Sequence, residues 1–118
     1  MVVTPKYLMD PDGHMLKLTL GRNYEVLGIE ADDYRILNDR NDPVLYSPDA
    51  FCVVDAAEPV FWTSSVGEEG ERYAYLEAWA QVGFFEDLHD RHTDAHETFW
   101  KTLARLYPET AGRARDAG

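Results

Sequence analysis

The first half of the chain alternates short apolar runs with turn-forming residues, a pattern typical of β structure. In Met15–Leu20, leucines recur at every second position and therefore share one face of a strand. Turn signals such as Asp10–Gly13, in which Pro presets φ and Gly accepts a positive φ, separate the runs. The other runs are Lys6–Met9, which can pair with Met15–Leu20 as a hairpin, Tyr24–Glu30, Tyr34–Leu37, Val44–Tyr46 and Phe51–Val54. Short strands at this spacing, with no long helix between them, predict a small barrel or rolled sheet.

Three helical segments are indicated. Ser47–Ala50 predicts a single 3₁₀ turn, because Pro suits its start and Ser can cap it. Phe84–Asp90 predicts a short helix or turn. The longest segment, Thr93–Tyr107, has an apolar stripe at helical spacing, with Thr93 as the expected N-cap and Pro108 as the expected end.

Residues 57–83 have two interpretations. Val60–Thr63 and Arg72–Leu76 can form two strands around the polar loop Ser64–Glu71. Alternatively, Glu71–Val82 can form a short helix, since Glu, Ala, Leu and Gln favour one. The sequence leaves both open.

We therefore expect one α+β domain over residues 1–118. It has a barrel over 4–56, a mixed or irregular extension over 57–92, a C-terminal helix over 93–107 packed on the barrel, and a flexible polar tail over 109–118. The residues expected in its core are Leu16, Leu18, Leu20, Val26, Ile36, Leu45, Val53, Phe99, Leu103 and Leu106.

Two stretches of the first half resemble an SH3-like barrel of the bacterial type. Leu18–Leu37 contains a turn, a strand of the Tyr-x-Val-Leu kind, and an acidic turn before an aromatic strand. Ser47–Val54 has a Pro-x-x-aromatic sequence leading into a last short strand. The resemblance covers about residues 15–55 and implies a small β-barrel.

This chain departs from the eukaryotic SH3 domains that bind proline-rich peptides. Where those domains have an exposed Trp after the acidic turn, this chain has Asp33, and Tyr34 matches the inward-facing aromatic. Of the peptide groove only Pro48 and Phe51 remain. The resemblance therefore implies the fold and not recognition of PxxP peptides.

The net charge of −11, from 22 acidic and 11 basic residues, narrows the choice of partners. Nucleic-acid binding needs cations that neutralise phosphates, and attraction to an anionic membrane surface needs them too, so neither is expected. Cys52 is the only cysteine, which excludes an intramolecular disulfide and suits a reducing compartment. With no signal-peptide-like or membrane-spanning apolar run, we expect a cytoplasmic protein.

One constellation has the residue types of a metal site: Glu86, His89, His92 and His96. On one continuous helix these side chains would lie near one face, and imidazoles with a carboxylate suit zinc or iron. The segment His92–His96 lacks the glutamate after the first histidine that a metalloprotease uses as its base. The sequence otherwise indicates no cofactor.

No catalytic constellation is indicated, and aromatic residues make up 13% of the chain. We expect most of them in the core and a minority at the surface, where aromatics surrounded by carboxylates would form a protein-binding patch. We therefore expect a non-enzymatic acidic interaction module that binds a basic protein, for example an immunity- or inhibitor-type protein. The residues expected to contact the partner are Asp32, Asp33, Glu68, Glu69, Trp62 and Trp79.

Three alternatives stay open. The first is a metal-binding protein or metal-dependent enzyme that uses the histidine cluster. The second is a small-ligand binder with a pocket between barrel and helix, lined by Trp62, Tyr75 or Trp100. The third concerns assembly, because the apolar stripe of the C-terminal helix can also form a homodimer interface.

Overall fold

Eight strands and three α-helices succeed one another along residues 1–117, which the computed structural model describes. The strands are β1 (Val2–Pro5), β2 (Tyr24–Glu25), β3 (Gly28–Glu30), β4 (Asp33–Leu37), β5 (Pro43–Tyr46), β6 (Phe51–Asp55), β7 (Thr63–Val66) and β8 (Arg72–Tyr75). The helices are α1 (Phe84–His89), α2 (Thr93–Leu106) and α3 (Pro108–Ala117), with 3₁₀ turns at Pro48–Ala50 and Glu77–Trp79. The predicted α+β class is confirmed.

The strands form two antiparallel sheets, ordered β2-β1-β6 and β5-β4-β3-β8-β7. The predicted SH3-like barrel is not confirmed, because the described residues 1–117 form two sheets that do not close into one barrel. The reason lies in the second half of the chain. The β7–β8 hairpin pairs with β3 through Ile29 and Ala74 and extends that sheet beyond the predicted boundary at residue 56.

The predicted strands β4, β5 and β6 are confirmed within one residue, and so is the 3₁₀ turn capped by Ser47. The first predicted hairpin is reduced to one bridge between Met9 and Met15. Lys17 has φ of 61°, which interrupts the extended run Met15–Leu20. Of the expected core residues, Leu20 is therefore exposed, and so is Val53 on the edge strand β6.

In residues 57–83 the structure has the two-strand alternative, although β7 begins where its first predicted strand ends. The predicted loop Ser64–Glu71 is shorter, because the Gly67 N–H donates to Glu71 O at 2.7 Å and closes the hairpin. Gly70 lies in this loop with φ of 83°, a conformation that favours glycine.

The segment after Pro108 corrects the prediction of a flexible tail over 109–118. Pro108 ends α2 as expected but also opens α3, since proline suits the first position of a helix. Thr110 donates its hydroxyl to Glu25 Oε2 at 2.6 Å, and Arg113 Nη2 donates to Leu37 O at 2.9 Å. Residue 118 lies outside the described residues.

Two apolar clusters cover the opposite faces of the five-stranded sheet. Val26 and Ile36 belong to the cluster between the two sheets, whereas their neighbours Leu27 and Leu37 belong to the cluster beneath the helices. Successive residues of an extended chain point to opposite faces, so β4 and the segment between β2 and β3 are apolar on both faces. The helix cluster also holds the α2 stripe residues Phe99 and Leu103. The molecule therefore has three layers: small sheet, large sheet and helices.

None of the helices in the described residues is both long enough and apolar enough to span a membrane.

Candidate functional site

An open cavity of about 1200 Å³ lies between the edge strand β5 and the helices α1 and α2. One wall is the β4–β5 loop and β5, residues 41–45. The opposite wall consists of residues of α1, the α1–α2 turn and α2. We call this cavity the cleft.

A buried guanidinium lies at the base of the cleft. Arg35, only 9% exposed, donates through Nη1 to Pro43 O at 3.0 Å, through Nη2 to Glu30 Oε1 at 3.1 Å and through Nε to Tyr75 Oη at 3.0 Å. The Tyr75 hydroxyl donates in turn to Glu30 Oε1 at 3.0 Å, and burial raises its pKa, which keeps it protonated. The guanidinium carbon lies 4.0 Å from the Phe85 ring centroid. These contacts satisfy the buried charge and make the base rigid.

The helix wall of the cleft is aromatic. Trp100 is half-buried and packs edge-on against Phe99, with ring centroids 5.4 Å apart. His96 lies one turn earlier on α2, 6.2 Å from the Trp100 ring. Half-buried aromatic side chains supply large contact areas in protein interfaces.

The rim of the cleft is predominantly acidic. Asp42, Glu86 and Asp90 are all exposed and border the cleft. Arg35 is neutralised by Glu30, so Arg91 is the remaining arginine on the rim, set against three carboxylates. With His neutral, the opening of the cleft has a net negative charge.

The structure does not gather the predicted metal ligands. Glu86, His89 and His96 border the cleft, whereas His92 does not. Arg91 has φ of 63° and ends the helical path between α1 and α2, so the four residues do not share a helix face. They are absent from the groups of described residues whose ligand atoms lie within 4.8 Å of one another. Within the described residues the four predicted ligands are therefore not gathered at one point, and this geometry gives no support to a metal site that uses all four.

A different group, Asp10, Asp12 and His14, does meet that distance. It lies in the exposed turn that the sequence predicts. Asp10 Oδ1 accepts the backbone N–H groups of Asp12 at 3.0 Å and His14 at 2.8 Å, which are ordinary turn contacts. These hydrogen bonds explain the close approach of the group.

The predicted acidic contact residues lie at one end of the large sheet. Asp32 and Asp33 follow β3 in the chain. Asp32 Oδ1 accepts a hydrogen bond from the Arg72 backbone N–H at 3.0 Å. Burial, followed by the charges of Asp32 and Glu30, raises the pKa of Asp33. Glu68 and Glu69 lie exposed in the β7–β8 loop, at the edge of the sheet opposite β5.

The two predicted tryptophans have structural contacts. Trp79 is 1% exposed and stacks on Phe99 and Tyr107, so its placement on a contact surface is wrong. The 3₁₀ turn Glu77–Trp79 directs it inwards. Trp62 is half-buried and donates its indole N–H to Tyr107 Oη at 2.9 Å.

The sequence analysis did not single out Arg35, Asp42 or Asp90. Arg35 had a usable signal, namely a charged residue within the apolar strand Tyr34–Leu37. Asp42 and Asp90 had none, because each is one of 22 acidic residues and lies in a polar turn.

Comparison of the chain with protein families, curated proteins and solved structures found no match.

Proposed function

We propose that this chain is a non-enzymatic acidic interaction module whose cleft binds a basic protein partner. An immunity- or inhibitor-type protein that neutralises a basic toxin or nuclease is one concrete form of this function. One observation carries the proposal: the cleft combines an aromatic wall with an acidic rim. The carboxylates at the predicted acidic end of the large sheet do not border the cleft.

The chemistry of the cleft suits lysine and arginine side chains. A cation over an aromatic face gains about 0.5–1 kcal/mol at an exposed site, and more where water is excluded. Arg35 over Phe85 is an internal example of this contact, at 4.0 Å. The exposed carboxylates Asp42, Glu86 and Asp90 add attraction that steers a basic protein towards the cleft.

The test is capture of partners from native lysate by three tagged baits. The first is the wild type, the second carries Glu86→Gln and Asp90→Asn in the cleft, and the third carries Glu68→Gln and Glu69→Gln at the far edge. Both variants remove two negative charges, so they differ only in position. We expect a basic protein to be retained at about 50 mM salt by the wild type and the third bait, weakly by the second, and released at about 300 mM.

Three results would contradict the proposal. They are a partner without excess positive charge, retention that does not respond to salt, and equal retention by both variants. Loss confined to the third bait would instead place the binding surface at Glu68 and Glu69, as the sequence predicts. In a purified complex, Trp100→Ala should weaken binding at least tenfold, because a half-buried tryptophan is a typical hot spot.

A small-ligand binder is the second candidate, favoured by the volume of the cleft. Ligand pockets span about 300–1000 Å³, and this open cavity is slightly larger. Of the predicted lining residues, Trp100 borders it, Tyr75 lies behind Arg35, and Trp62 is bonded to Tyr107 elsewhere. Benzylamine, a small aromatic cation without an indole group, should then change the Trp100 fluorescence in the wild type and leave the fluorescence of Trp100→Phe unchanged.

We also infer that β1–β6 have an SH3-like strand order. In support, β2 and β3 lie on either side of Val26-Leu27 and place one stretch of chain in both sheets. β1 lies between β2 and β6, and a 3₁₀ turn leads into β6. The pairing of Val3 with Val53 is diagnostic of this order, and its absence from an NMR contact map would contradict the inference. Phe51 is 4% exposed, which argues against a PxxP groove.

A further inference from the structure

The wall of the cleft opposite the helices is the edge of a sheet. β5 ends the five-stranded order, so it pairs only with β4. An edge strand presents unpaired backbone groups to any chain that can reach them. Because residues 41–45 line the cleft, that edge opens into it.

The hydrogen-bond pattern identifies which backbone groups face the open side. The Asn38 N–H donates to Asp42 O at 2.9 Å, which makes 38 and 42 a hydrogen-bonded pair. Antiparallel pairs alternate, so Ile36 and Val44 are the next hydrogen-bonded pair, and the N–H and C=O of Leu45 point away from β4.

Pro43 also lies on the open side but has no N–H, and its carbonyl already accepts Arg35 Nη1. On the open side of β5, the backbone N–H and C=O of Leu45 are therefore the donor and acceptor available to an added strand. Edge strands are typically protected by such a proline or by inward-pointing charge. Here that protection stops two residues before Leu45.

Charge and shape restrict what can occupy this edge. An added strand would place alternate side chains towards the helix wall, where Trp100 and the half-buried Leu88 lie. The rim carboxylates favour basic side chains on that strand, and a second copy of a chain with net charge −11 would be repelled.

We propose that the cleft binds a basic segment of the partner in an extended conformation, as a strand added to β5 through the backbone of Leu45. This rests on the proposed function, which requires a basic partner but not an extended one.

The test uses three fluorescein-labelled octapeptides of alternating Lys and Val. One is unmodified, the second is N-methylated at the odd-numbered residues, and the third is N-methylated at the even-numbered residues. Fluorescence anisotropy gives the affinities, and NMR hydrogen exchange on the uniformly labelled protein reports individual amides. We expect binding to weaken at least tenfold when the N-methyl groups fall in the paired register. The Leu45 amide should exchange at least tenfold more slowly in the complex.

Val66 provides a matched control amide. The bond from Gly67 N–H to Glu71 O sets the alternation of β7 and directs the Val66 N–H out of the opposite edge of the same sheet. Its exchange should not change when the peptide binds. Leu45→Pro, compared with Leu45→Ala, removes the outward donor and should abolish binding if the variant folds.

The outcomes separate the two proposals. Binding of the peptide with unchanged Leu45 exchange and no effect of N-methylation in either register would overturn strand addition and leave the basic-partner function in place. Slowed exchange of Val66 in place of Leu45 would also overturn it, by placing the added strand on β7. Absence of binding up to about 1 mM, together with a lysate capture that recovers no basic protein, would overturn both.

Discussion

Ala31 adopts a backbone conformation that alanine disfavours. It and Asp32 form the two-residue turn between β3 and β4, with φ of 48° and 69°. Positive φ at both positions is what a tight hairpin turn of this length requires, and glycine or asparagine usually supplies it. The carboxylate of Asp32 offsets part of the cost by accepting the Arg72 N–H.

We predict that Ala31→Gly stabilises the protein by about 1 kcal/mol, because it removes the clash of Cβ in the left-handed region. The free energy of unfolding in urea measures the change. Ala57→Gly is the control, since Ala57 is exposed and does not have a positive φ. That variant should be neutral or slightly less stable. A loss of stability in Ala31→Gly would contradict the account of this turn.

Asp39 connects the β4–β5 loop to residues 19–24. It accepts hydrogen bonds from the hydroxyls of Thr19 at 2.6 Å and Tyr24 at 2.7 Å and forms an ion pair with Arg22 at 3.2 Å. Burial alone would raise the pKa of Asp39, but these hydrogen bonds and the charges of Arg22 and Arg113 outweigh it and lower the pKa below the ordinary 3.8.

A lowered pKa in the folded state contributes stability that is present above pH 3.8 and is lost as the pH falls through the folded-state value. We predict that Asp39→Asn costs about 1–2 kcal/mol at pH 7 and reduces the loss of stability between about pH 4 and pH 2. Urea unfolding across this range tests it. Glu97→Gln, which removes an exposed carboxylate of α2, should leave both the pH 7 stability and the acid limb close to wild type.

At the scale of elements, the glycine of β3 makes the packing of β8 possible. A Cβ at Gly28 would lie 2.1 Å from two ring carbons of Tyr75, and 3.0 Å from the Ala74 carbonyl oxygen. The Tyr75 ring is held in place by the hydrogen bonds of its hydroxyl with Arg35 and Glu30, so it cannot move aside freely.

We predict that Gly28→Ala destabilises the protein by about 2–3 kcal/mol through overpacking. Gly112→Ala is the matched control. Gly112 lies within α3, and the nearest atom to an added Cβ is 3.9 Å away, so alanine should stabilise by up to about 1 kcal/mol through its helix propensity. Melting temperatures that shift in the same direction for both variants would contradict this packing argument.

Elements with a complete local signal are the ones that the sequence predicts well. The 3₁₀ turn has its Ser47 cap and Pro48, and α2 has a stripe at helical spacing ended by Pro108. The polar segment after Pro108 has a weak apolar face, so its composition indicates a tail. Its helix is stabilised by contacts with Glu25 and Leu37, which are about 80 residues away in the chain.

For the whole molecule, α3 provides a test of whether this segment is part of the folded unit. Ala114 is buried in the helix cluster, and the Arg113 guanidinium lies 4.7 Å from the Tyr24 ring centroid. Ending the chain after Tyr107 removes these contacts and two hydrogen bonds. We predict a loss of at least about 2 kcal/mol, at about 1 kcal/mol for each hydrogen bond.

Chemical denaturation of the full chain and of the chain that ends at Tyr107 measures this loss of stability. A chain that ends after Arg115 serves as the control, because it retains Thr110, Arg113 and Ala114 and should unfold close to the full chain. Equal stability of the chain that ends at Tyr107 would mean that residues 108–117 behave as the flexible tail that their composition suggests.

The candidate site shows the same division between local and long-range information. Glu86 and His89 lie on α1 and His96 lies on α2, but His92 precedes α2 and the positive φ of Arg91 separates the two helices. The sequence predicts a break between Phe84–Asp90 and the N-cap at Thr93, but it does not predict the direction in which the chain turns there. The cleft itself combines β4, β5 and both helices, with Arg35 and Trp100 more than 60 positions apart in the sequence.

The sequence by itself determined the α+β class, the strands β4 to β6, the helix α2, the absence of an intramolecular disulfide and the strong negative charge. These properties depend on composition, or on the periodicity and caps of neighbouring residues, whose effects are local in the chain. Only the tertiary structure decided that β8 pairs with β3, that α3 folds, that Trp79 is buried, and that β5 opens into an acidic and aromatic cleft. Each of those depends on which distant surfaces meet, and contacts between distant segments leave no periodic signal in the sequence.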